Sequence, residues 1–349
     1  MARAHRVRDI AVQAGLSEAT VDRVLHDRVN VSPRARRQVE QAVSELERQR
    51  SQLLLTGRTF LLDLVMQAPD RFTAAVRSAL EAELPGLRPA IVRSRFHFRE
   101  QAPPGELIAA MHRAVARGSD GIVLKAPDLP EIAAAVDSVV GRGVPVVTLV
   151  TDVSRCRRAA YVGIDNVAAG QTAAYLVSQW LRHTVGDVLV AVSRGSFRGE
   201  DERERGFREA LASTDPERAL VAVTDTDGLD ASMRGAVAPA LEANRRVCAV
   251  YSIGGGNGGI VEAFAAVGRT CEVFVAHDLD SDNIRLLREG KLSAVLHHDL
   301  GLDLRRVCQA VMQAHGALPG APQSLPSSIQ VVTPANLPSR MPFGVGPVS

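Results

Sequence analysis

Lysine, cysteine and aromatic residues are scarce in this sequence. Lys125 and Lys291 are the only lysines among 41 basic residues, and aromatic residues make up 4% of the chain. The four cysteines lie far apart without a C-x-x-C pair, which argues against a zinc pattern or a disulfide framework and favours a reducing compartment. No run of 18 apolar residues occurs, so we expect no membrane-spanning helix.

The composition is that of a folded intracellular protein. The N-terminal sequence lacks a seven-residue apolar core, so we expect no secretion signal and a cytoplasmic location. With 46% hydrophobic and 23% charged residues in 349 positions, the chain can bury a core in two or three domains. The first 58 residues carry 11 Arg against 7 acidic residues, which favours an anionic partner for this segment; a merely solvated charged face is the alternative.

The sequence VRDIAVQAGLSEATVDRVL, starting at Val7, predicts two short helices joined by a turn. Apolar residues recur at spacings of three and four on each side of Gly15, as on one face of a helix. Gly15 ends the first helix and Ser17 caps the second. This arrangement is typical of a helix-turn-helix. A third helix begins at Ser32-Pro33, with an inner face of Val39, Val43 and Leu46.

The second helix is expected to lie in the major groove of DNA. Glu18, Ala19 and Arg23 are predicted to contact bases, and Arg23 can donate two hydrogen bonds to guanine. Phosphate contacts, which position the protein without reading sequence, are predicted for other residues of the module: Arg8, Ser17, Thr20, Ser32 and Arg34. A helical hairpin that binds another protein is the alternative.

The segment VRDIAVQAGLSEATVDRVLHDRVNVSPRARRQVEQAVSEL resembles the headpiece of the LacI/GalR family. About forty residues match that family's pattern in order and without gaps. The resemblance implies a helix-turn-helix domain over residues 1–50. Asp22 stands where the family usually has serine, and we expect its carboxylate to pair with Arg23 or Arg8.

In the LacI/GalR family a hinge helix follows the headpiece and inserts a leucine into the minor groove. The matching segment here is residues 51–59, and Leu55 occupies the position of that leucine; such wedges bend DNA. The family's Tyr-x-Pro-Asn is missing, and the linker is about two residues shorter. Leu53 to Leu55 could instead be core at the interdomain junction.

Residues 60–349 alternate between short apolar runs, such as GIVLKA and PVVTLV, and helical stretches. This alternation predicts α/β structure, with parallel sheets that have helices on both faces. About eleven strands exceed one sheet, so two lobes are expected. The region resembles the two-lobed type I periplasmic-binding-protein fold, the sensor of the LacI/GalR family. That fold implies three crossings between lobes, which we place near residues 162, 293 and 325.

The same resemblance implies which residues face the cleft between the lobes. By motif, the candidates are Asp70, Arg71, Phe72, Asp165, Arg203, Asp278 and His298, the last standing where the family usually has glutamine. Carboxylates and guanidinium groups suit the hydroxyl pairs of sugars. Structural roles remain open for four of them: Phe72 as core, Asp165 and Asp278 as helix caps, and Arg203 within a surface Arg/Glu ladder.

The glycine-rich stretch YSIGGGNGGI is a second departure from the family. Ile253 and Gly254 stand where most relatives carry Asn-Asp. A glycine-rich turn before a helix can hold a phosphate. Gly254, Gly256 and Gly259 have the G-x-G-x-x-G spacing, but the P-loop lysine is absent, so nucleotide binding is the less favoured alternative. We expect the turn to make room for a different ligand, with Asn257 as a possible contact.

These features together predict a sequence-specific DNA-binding transcriptional regulator, a repressor, controlled by a sugar or polyol between the lobes. A homodimer would read a pseudo-palindromic operator in double-stranded DNA. The alternative is a sugar-binding protein of a transport system. No G-x-S-x-G or H-E-x-x-H motif occurs, so we expect no enzyme activity, and no metal or cofactor is implied.

Overall fold

A computed structural model describes residues 5–29, 31–193 and 196–338. The N-terminal part is a bundle of three helices. They are α1 (Val7–Ala14), α2 (Glu18–Leu25) and α3 (Pro33–Leu55). Their apolar faces meet in a small core made of Ile10, Ala11, Val21, Val24, Val39 and Ala42.

The ends of these helices follow from their capping residues. Gly15 ends α1 in the left-handed conformation, at φ 64°, which costs glycine little. Ser17 Oγ accepts the N–H of Thr20 at 3.2 Å, and Ser32 Oγ accepts the N–H of Ala35 at 3.1 Å. The predicted helix-turn-helix is therefore present.

The segment predicted as a hinge continues α3 in this structure. Residues 51–55 belong to the helix, and the first strand begins at Thr59. Leu55 is 6% exposed and lies in the core of the first lobe, whereas Leu53 is 77% exposed. In this conformation Leu55 cannot contact the minor groove, because its side chain is buried. It packs as core at the interdomain junction, which was the alternative to the hinge.

The first lobe contains a five-stranded sheet with helices on both faces. Its strands are β1 (Thr59–Gln67), β2 (Ile91–Arg99), β3 (Gly121–Lys125), β4 (Val146–Leu149) and β5 (Ala160–Val162). They are parallel and lie in the order β2-β1-β3-β4-β5. Its helices are α4 (Asp70–Glu83), α5 (Pro104–Ala116) and α6 (Pro130–Gly141).

The second lobe contains a six-stranded sheet. Its strands are β6 (Asp187–Ser193), β7 (Leu220–Thr226), β8 (Val247–Ser252), β9 (Val273–His277), β10 (Ala294–His297) and β11 (Gln330–Val332). The order is β11-β10-β9-β8-β6-β7, and β11 alone runs antiparallel to its neighbour. Its helices are α7 (Asn166–Trp180), α8 (Arg198–Thr214), α9 (Asp230–Ala243), α10 (Asn257–Ala266) and α11 (Ser281–Arg288), whereas α12 (Leu300–Ala314) packs on the first lobe. This is the α/β class predicted from the sequence.

Three segments connect the lobes. The chain leaves the first lobe after β5, at 163–165, close to the position predicted near 162. It returns after β10, at 298–299, because α12 packs against α4 and the first-lobe core. This second crossing lies about five residues beyond the predicted position, since the apolar strand β10 still belongs to the second lobe. The third precedes β11, where Ser327 bridges to Ile164, close to the prediction near 325.

Among the described residues, every helix is too short or too polar to cross a lipid bilayer.

Candidate DNA surface and effector cleft

The predicted base-reading residues lie on the outer face of α2. Glu18, Ala19 and Arg23 are exposed, while Val21 and Val24 fill the core. The predicted phosphate contacts Arg8, Ser17, Ser32 and Arg34 are exposed as well, and Thr20 is half-buried. Ser17 and Ser32 are the N-cap residues of α2 and α3. They therefore lie at helix N-termini, where backbone N–H groups attract anions such as phosphate.

Asp22 was expected to pair with Arg23 or Arg8, but it pairs with neither of them in the structure. Its carboxylate lies 3.0 Å from His26 Nδ1 and 3.5 Å from Arg28 Nη1. His26 is four residues further along α2, so the two side chains share a helix face. This arrangement partly neutralises Asp22 and leaves Arg23 unengaged by it.

A cleft of about 490 Å³ lies between the two lobes, at the carboxyl ends of their strands, where ligands bind in such sheets. Four of the predicted residues line it: Arg71 and Phe72 from the first lobe, Arg203 and Asp278 from the second. Arg203 is not in a surface ladder. It is 4% exposed, and its Nε donates to Asn166 Oδ1 at 2.8 Å.

The other predicted ligand residues do not line the cleft. Asp70 is exposed, and Asp165 caps α7 by accepting the N–H of Ala168 at 3.0 Å, as its alternative interpretation held. Two residues are buried beside the cleft. Asn257 Nδ2 donates to Asn283 Oδ1 at 2.7 Å, and the Nδ1 of His298 lies 2.5 Å from Asp303 Oδ2.

An ion pair joins the lobes across the cleft. Arg71 Nε donates to Asp280 Oδ2 at 2.7 Å, although the two residues belong to different lobes. Asp280 also caps α11 by accepting the N–H of Asn283 at 2.9 Å. Burial raises the pKa of Asp280 to about 6, while the positive charge of Arg71 opposes this rise.

The glycine-rich turn before α10 makes room for side chains of the cleft. A Cβ atom on Gly255 would lie 2.5 Å from Arg71 Nη2, and one on Gly254 would lie 2.5 Å from the backbone nitrogen of Ser193 and 3.0 Å from Glu200 Oε2. Larger residues at these two positions would therefore collide with the Arg71 guanidinium and with the Ser193 backbone. Groups of the protein itself occupy the space at this turn, where the sequence left a nucleotide phosphate as the alternative.

Lys125 and His277 are among the residues of the cleft that sequence reasoning missed. Lys125 is the last residue of the apolar strand β3. A cation at the end of a buried strand, in a chain that has two lysines, could have identified it as a site residue. Its Nζ lies 3.3 Å from the Gln67 carbonyl oxygen and 4.1 Å from the centre of the Phe197 ring. Desolvation lowers the pKa of Lys125, and the charge of Arg203 lowers it further, although Glu200 and Asp278 act in the opposite direction.

His277 is buried beneath the cleft, and its Nε2 lies 2.8 Å from the Tyr251 hydroxyl. Burial, together with the charge of Arg203, lowers the pKa of His277 well below its ordinary value. The imidazole is therefore neutral. Nothing in the local sequence distinguishes this histidine from an ordinary core residue.

Comparisons with known proteins agree with this arrangement. Residues 63–314 match the periplasmic binding protein domain family, and residues 6–50 match the LacI family of bacterial regulatory proteins. Comparison with functionally curated proteins finds no significant match.

Solved structures share the fold of the two lobes. A putative LacI transcriptional regulator from Bacteroides fragilis superposes with a TM-score of 0.70 at 15% identity, covering 80% of this chain and 98% of that one. The Caulobacter myo-inositol binding protein gives 0.69 at 20% identity, covering 80% and 94%. AraP, an arabinose binding protein from Geobacillus stearothermophilus, gives 0.66 at 22% identity, covering 80% and 97%.

Both matched families consist of binding proteins rather than enzymes. The match to the periplasmic binding protein domain covers most of the chain, and the LacI match covers the helix-turn-helix. The chain therefore belongs to the periplasmic binding protein domain family and carries a LacI-family helix-turn-helix before that domain, which together form the architecture of LacI/GalR regulators.

Proposed function

We propose that this protein is a cytoplasmic transcriptional repressor whose affinity for its operator is set by a sugar-like effector in the cleft. The observation that carries the proposal is the joining of two sites in one chain. An exposed helix-turn-helix surface is followed by a two-lobed domain with a polar cleft. Solute-binding proteins of transport systems share the fold of the two-lobed domain, but transport does not require a helix-turn-helix surface.

We further propose that Arg71, Phe72, Arg203 and Asp278 contact the effector, since these predicted residues line the cleft. Effector binding changes operator affinity only if it favours one arrangement of the lobes over another. The Arg71–Asp280 pair spans the lobes, so a ligand that competes for either side chain would shift that balance.

We propose a homodimer that reads a pseudo-palindromic site. One headpiece offers few base-reading side chains on a single short helix. Two headpieces linked by their sensor domains bind with much higher effective affinity than one, because the second contact is intramolecular.

The test is a mobility-shift titration of the full-length protein against DNA fragments from upstream of its own coding sequence. We expect one or a few fragments to bind at least about 1,000-fold more tightly than random competitor DNA. Equal affinity for all fragments, with and without a panel of sugars and polyols, would contradict the proposal.

A further inference from the structure

Arg203, which lines the cleft, is bonded to the first residue of α7. Its Nε donates to Asn166 Oδ1 at 2.8 Å, and the two residues are 4% and 3% exposed. Arginine can only donate hydrogen bonds, so the oxygen of the Asn166 amide must face Arg203 and the NH2 group must point away from it. Arg203 therefore fixes the orientation of this buried amide.

The amide nitrogen of Asn166 reaches the first crossing between the lobes. Its Nδ2 donates to the Tyr161 hydroxyl at 3.1 Å, and this hydroxyl lies 2.8 Å from the Ile164 carbonyl oxygen and 3.1 Å from that of Val150. Burial raises the pKa of Tyr161, so the hydroxyl keeps its proton and donates it to these carbonyl groups. Tyr161 thus joins the last strand of the first lobe to the crossing at 163–165.

The crossings are packed closely around this tyrosine. A Cβ atom on Gly163 would lie 2.5 Å from the Tyr161 hydroxyl oxygen, so a larger residue there would displace the hydroxyl. The backbone N–H of Tyr161 donates to Ser324 Oγ at 2.8 Å, and that of Ser327 donates to the Gly163 carbonyl oxygen at 2.8 Å. Tyr161 therefore contacts both the first crossing and the segment that forms the third.

A second path leads from the first crossing back to the helix that carries Arg203. Thr151 Oγ1 accepts the N–H of Gly199, in α8, at 3.0 Å. Val150, beside Thr151, has a left-handed backbone at φ 68°, which is a strained conformation for a β-branched residue and persists only where its surroundings enforce it. The contacts thus form a closed ring that runs from α8 through Asn166 to the crossing and returns to α8.

We propose that Asn166 and Tyr161 couple the effector site at Arg203 to the first crossing, as positioning residues for the regulatory response. A ligand group that bonds to the terminal nitrogens of Arg203 shifts its Nε, and with it the Asn166 amide that holds the Tyr161 hydroxyl. The crossing then favours a different arrangement of the lobes. This inference rests on the proposed function, since it assigns the residues through which effector binding acts. Coupling of this kind is tested by combining substitutions rather than by proximity.

The first measurement is hydrogen–deuterium exchange of the full-length protein without ligand, read on peptides that contain Tyr161 and Ser327. In Arg203→Lys the lysine Cε takes the place of Nε, so the positive charge stays while the hydrogen bond to Asn166 is lost. We expect exchange at the two crossing amides to become about 10-fold faster, as for the loss of a hydrogen bond to a charged group. The matched control is Arg205→Lys, exposed on the same helix, which should exchange as the parent does.

The second measurement repeats Arg203→Lys in a Tyr161→Phe background, which lacks the hydroxyl. There Arg203→Lys should change exchange at the crossings by less than about 2-fold, because the link is already broken. Tyr175→Phe removes an exposed hydroxyl from α7 and is the control background, in which the full effect should remain. No acceleration by Arg203→Lys, or equal acceleration with and without the Tyr161 hydroxyl, would overturn the proposal, since purely structural roles give additive effects.

Asn166→Asp tests the same link without changing Arg203. If Arg203→Lys does not fold, which fast exchange throughout β1 would reveal, this variant decides the question. The aspartate still accepts from Arg203 but cannot donate to Tyr161. It should accelerate exchange at the crossings when Tyr161 is present and have little effect in the Tyr161→Phe background. Equal effects in both backgrounds would contradict the coupling.

Operator binding is measured in parallel on the parent protein. If one fragment is preferred but exchange at the crossings does not respond to Arg203→Lys or to Asn166→Asp, the regulator stands and the coupling fails. If exchange responds as expected but no DNA fragment binds preferentially, the proposed function fails and the coupling stands as a property of the two lobes.

Discussion

At the scale of single residues, two buried aspartates show how the protein treats charge away from water. Asp63 is fully buried, and burial raises its pKa. Hydrogen bonds from Arg95 at 2.9 and 2.5 Å and from His97 at 2.7 Å outweigh that effect and leave the pKa below its ordinary value. Among the described residues Asp280 has one cationic partner, Arg71, and the effect of burial on its pKa is the larger one. Asp63 is therefore kept ionised by its partners, whereas the pKa of Asp280 is raised to a value close to neutral pH.

Asp280 should make stability depend on pH in mildly acidic solution. Its pKa is 3.8 in the unfolded chain and about 6 in the folded protein, so between these values the folded state binds the extra proton. Stability contributed by this group is therefore full below pH 4 and is lost as the pH rises to 6. The loss amounts to about 3 kcal/mol.

Urea unfolding of the parent protein and of Asp280→Asn at pH 4.5, 5.5 and 7 checks this expectation. The free energy of unfolding of the parent should fall relative to that of the variant as the pH increases. The control is Asp282→Asn, two residues along the chain and half-buried, which should follow the parent at every pH. A constant difference between the parent and Asp280→Asn would contradict the raised pKa.

Arg23 is the residue on which sequence-specific binding should depend most. Arg23→Ala is expected to cost about 1–3 kcal/mol of binding to the cognate operator and to relax the preference at one base pair. Arg34→Ala, which removes a proposed phosphate contact, should weaken binding to every sequence alike. Competition titrations against operators altered at single positions separate the two outcomes. Uniform loss for Arg23→Ala would remove it from the base-reading residues.

At the scale of elements, the helices and strands follow from local patterns. Caps and apolar spacing predict α1, α2 and the start of α3, and alternating apolar runs predict the parallel sheets. The second crossing was misplaced because β10 is only four residues long, and an apolar run does not reveal which sheet it joins. The cleft was predicted in part: Arg71 and Arg203 follow from motifs, whereas the role of His277 depends on a neighbour 26 residues away.

Helix α3 continues to Leu55, into the segment 51–59 that the sequence predicted as a hinge, so the role of Leu55 can be tested. Leu55 packs in the first-lobe core and Leu53 is exposed, so Leu55→Ala should destabilise the protein by about 2–5 kcal/mol through the lost contacts and the cavity. Leu53→Ala, a matched change two residues away, should alter stability by less than about 0.5 kcal/mol. Chemical denaturation of the full chain measures both variants. A neutral Leu55→Ala would show that this leucine is not core and would restore it as the candidate wedge.

At the scale of the whole molecule, contacts between the lobes lie on both sides of the cleft. Arg71 reaches Asp280 on one side, and Arg198 Nη1 donates to Ser154 Oγ at 2.8 Å on the other. The crossing segments are themselves connected, because the carboxylate of Asp303 accepts from the Ser327 hydroxyl and also contacts His298. A ligand that alters the closure of the lobes therefore acts on connected crossings as well as on these two contacts between the lobes.

The number of chains on the operator can be read from the salt dependence of binding. The headpiece segment has a surplus of basic residues, whereas the remainder of the chain is slightly acidic, so phosphate contacts should come from the headpieces. Each lost phosphate contact reduces the slope of log affinity against log salt by about 1. Arg34→Ala should therefore reduce the slope by about 2 if two protomers bind and by about 1 if a single protomer binds.

Fluorescence anisotropy between 50 and 200 mM salt, a range over which such contacts produce large changes in affinity, gives both slopes on the same labelled operator. Exposed Arg182 lies on the second lobe, so Arg182→Ala provides the control and should leave the slope unchanged. A change of about 1 for Arg34→Ala would contradict the homodimer, and no change at all would remove Arg34 from the phosphate contacts.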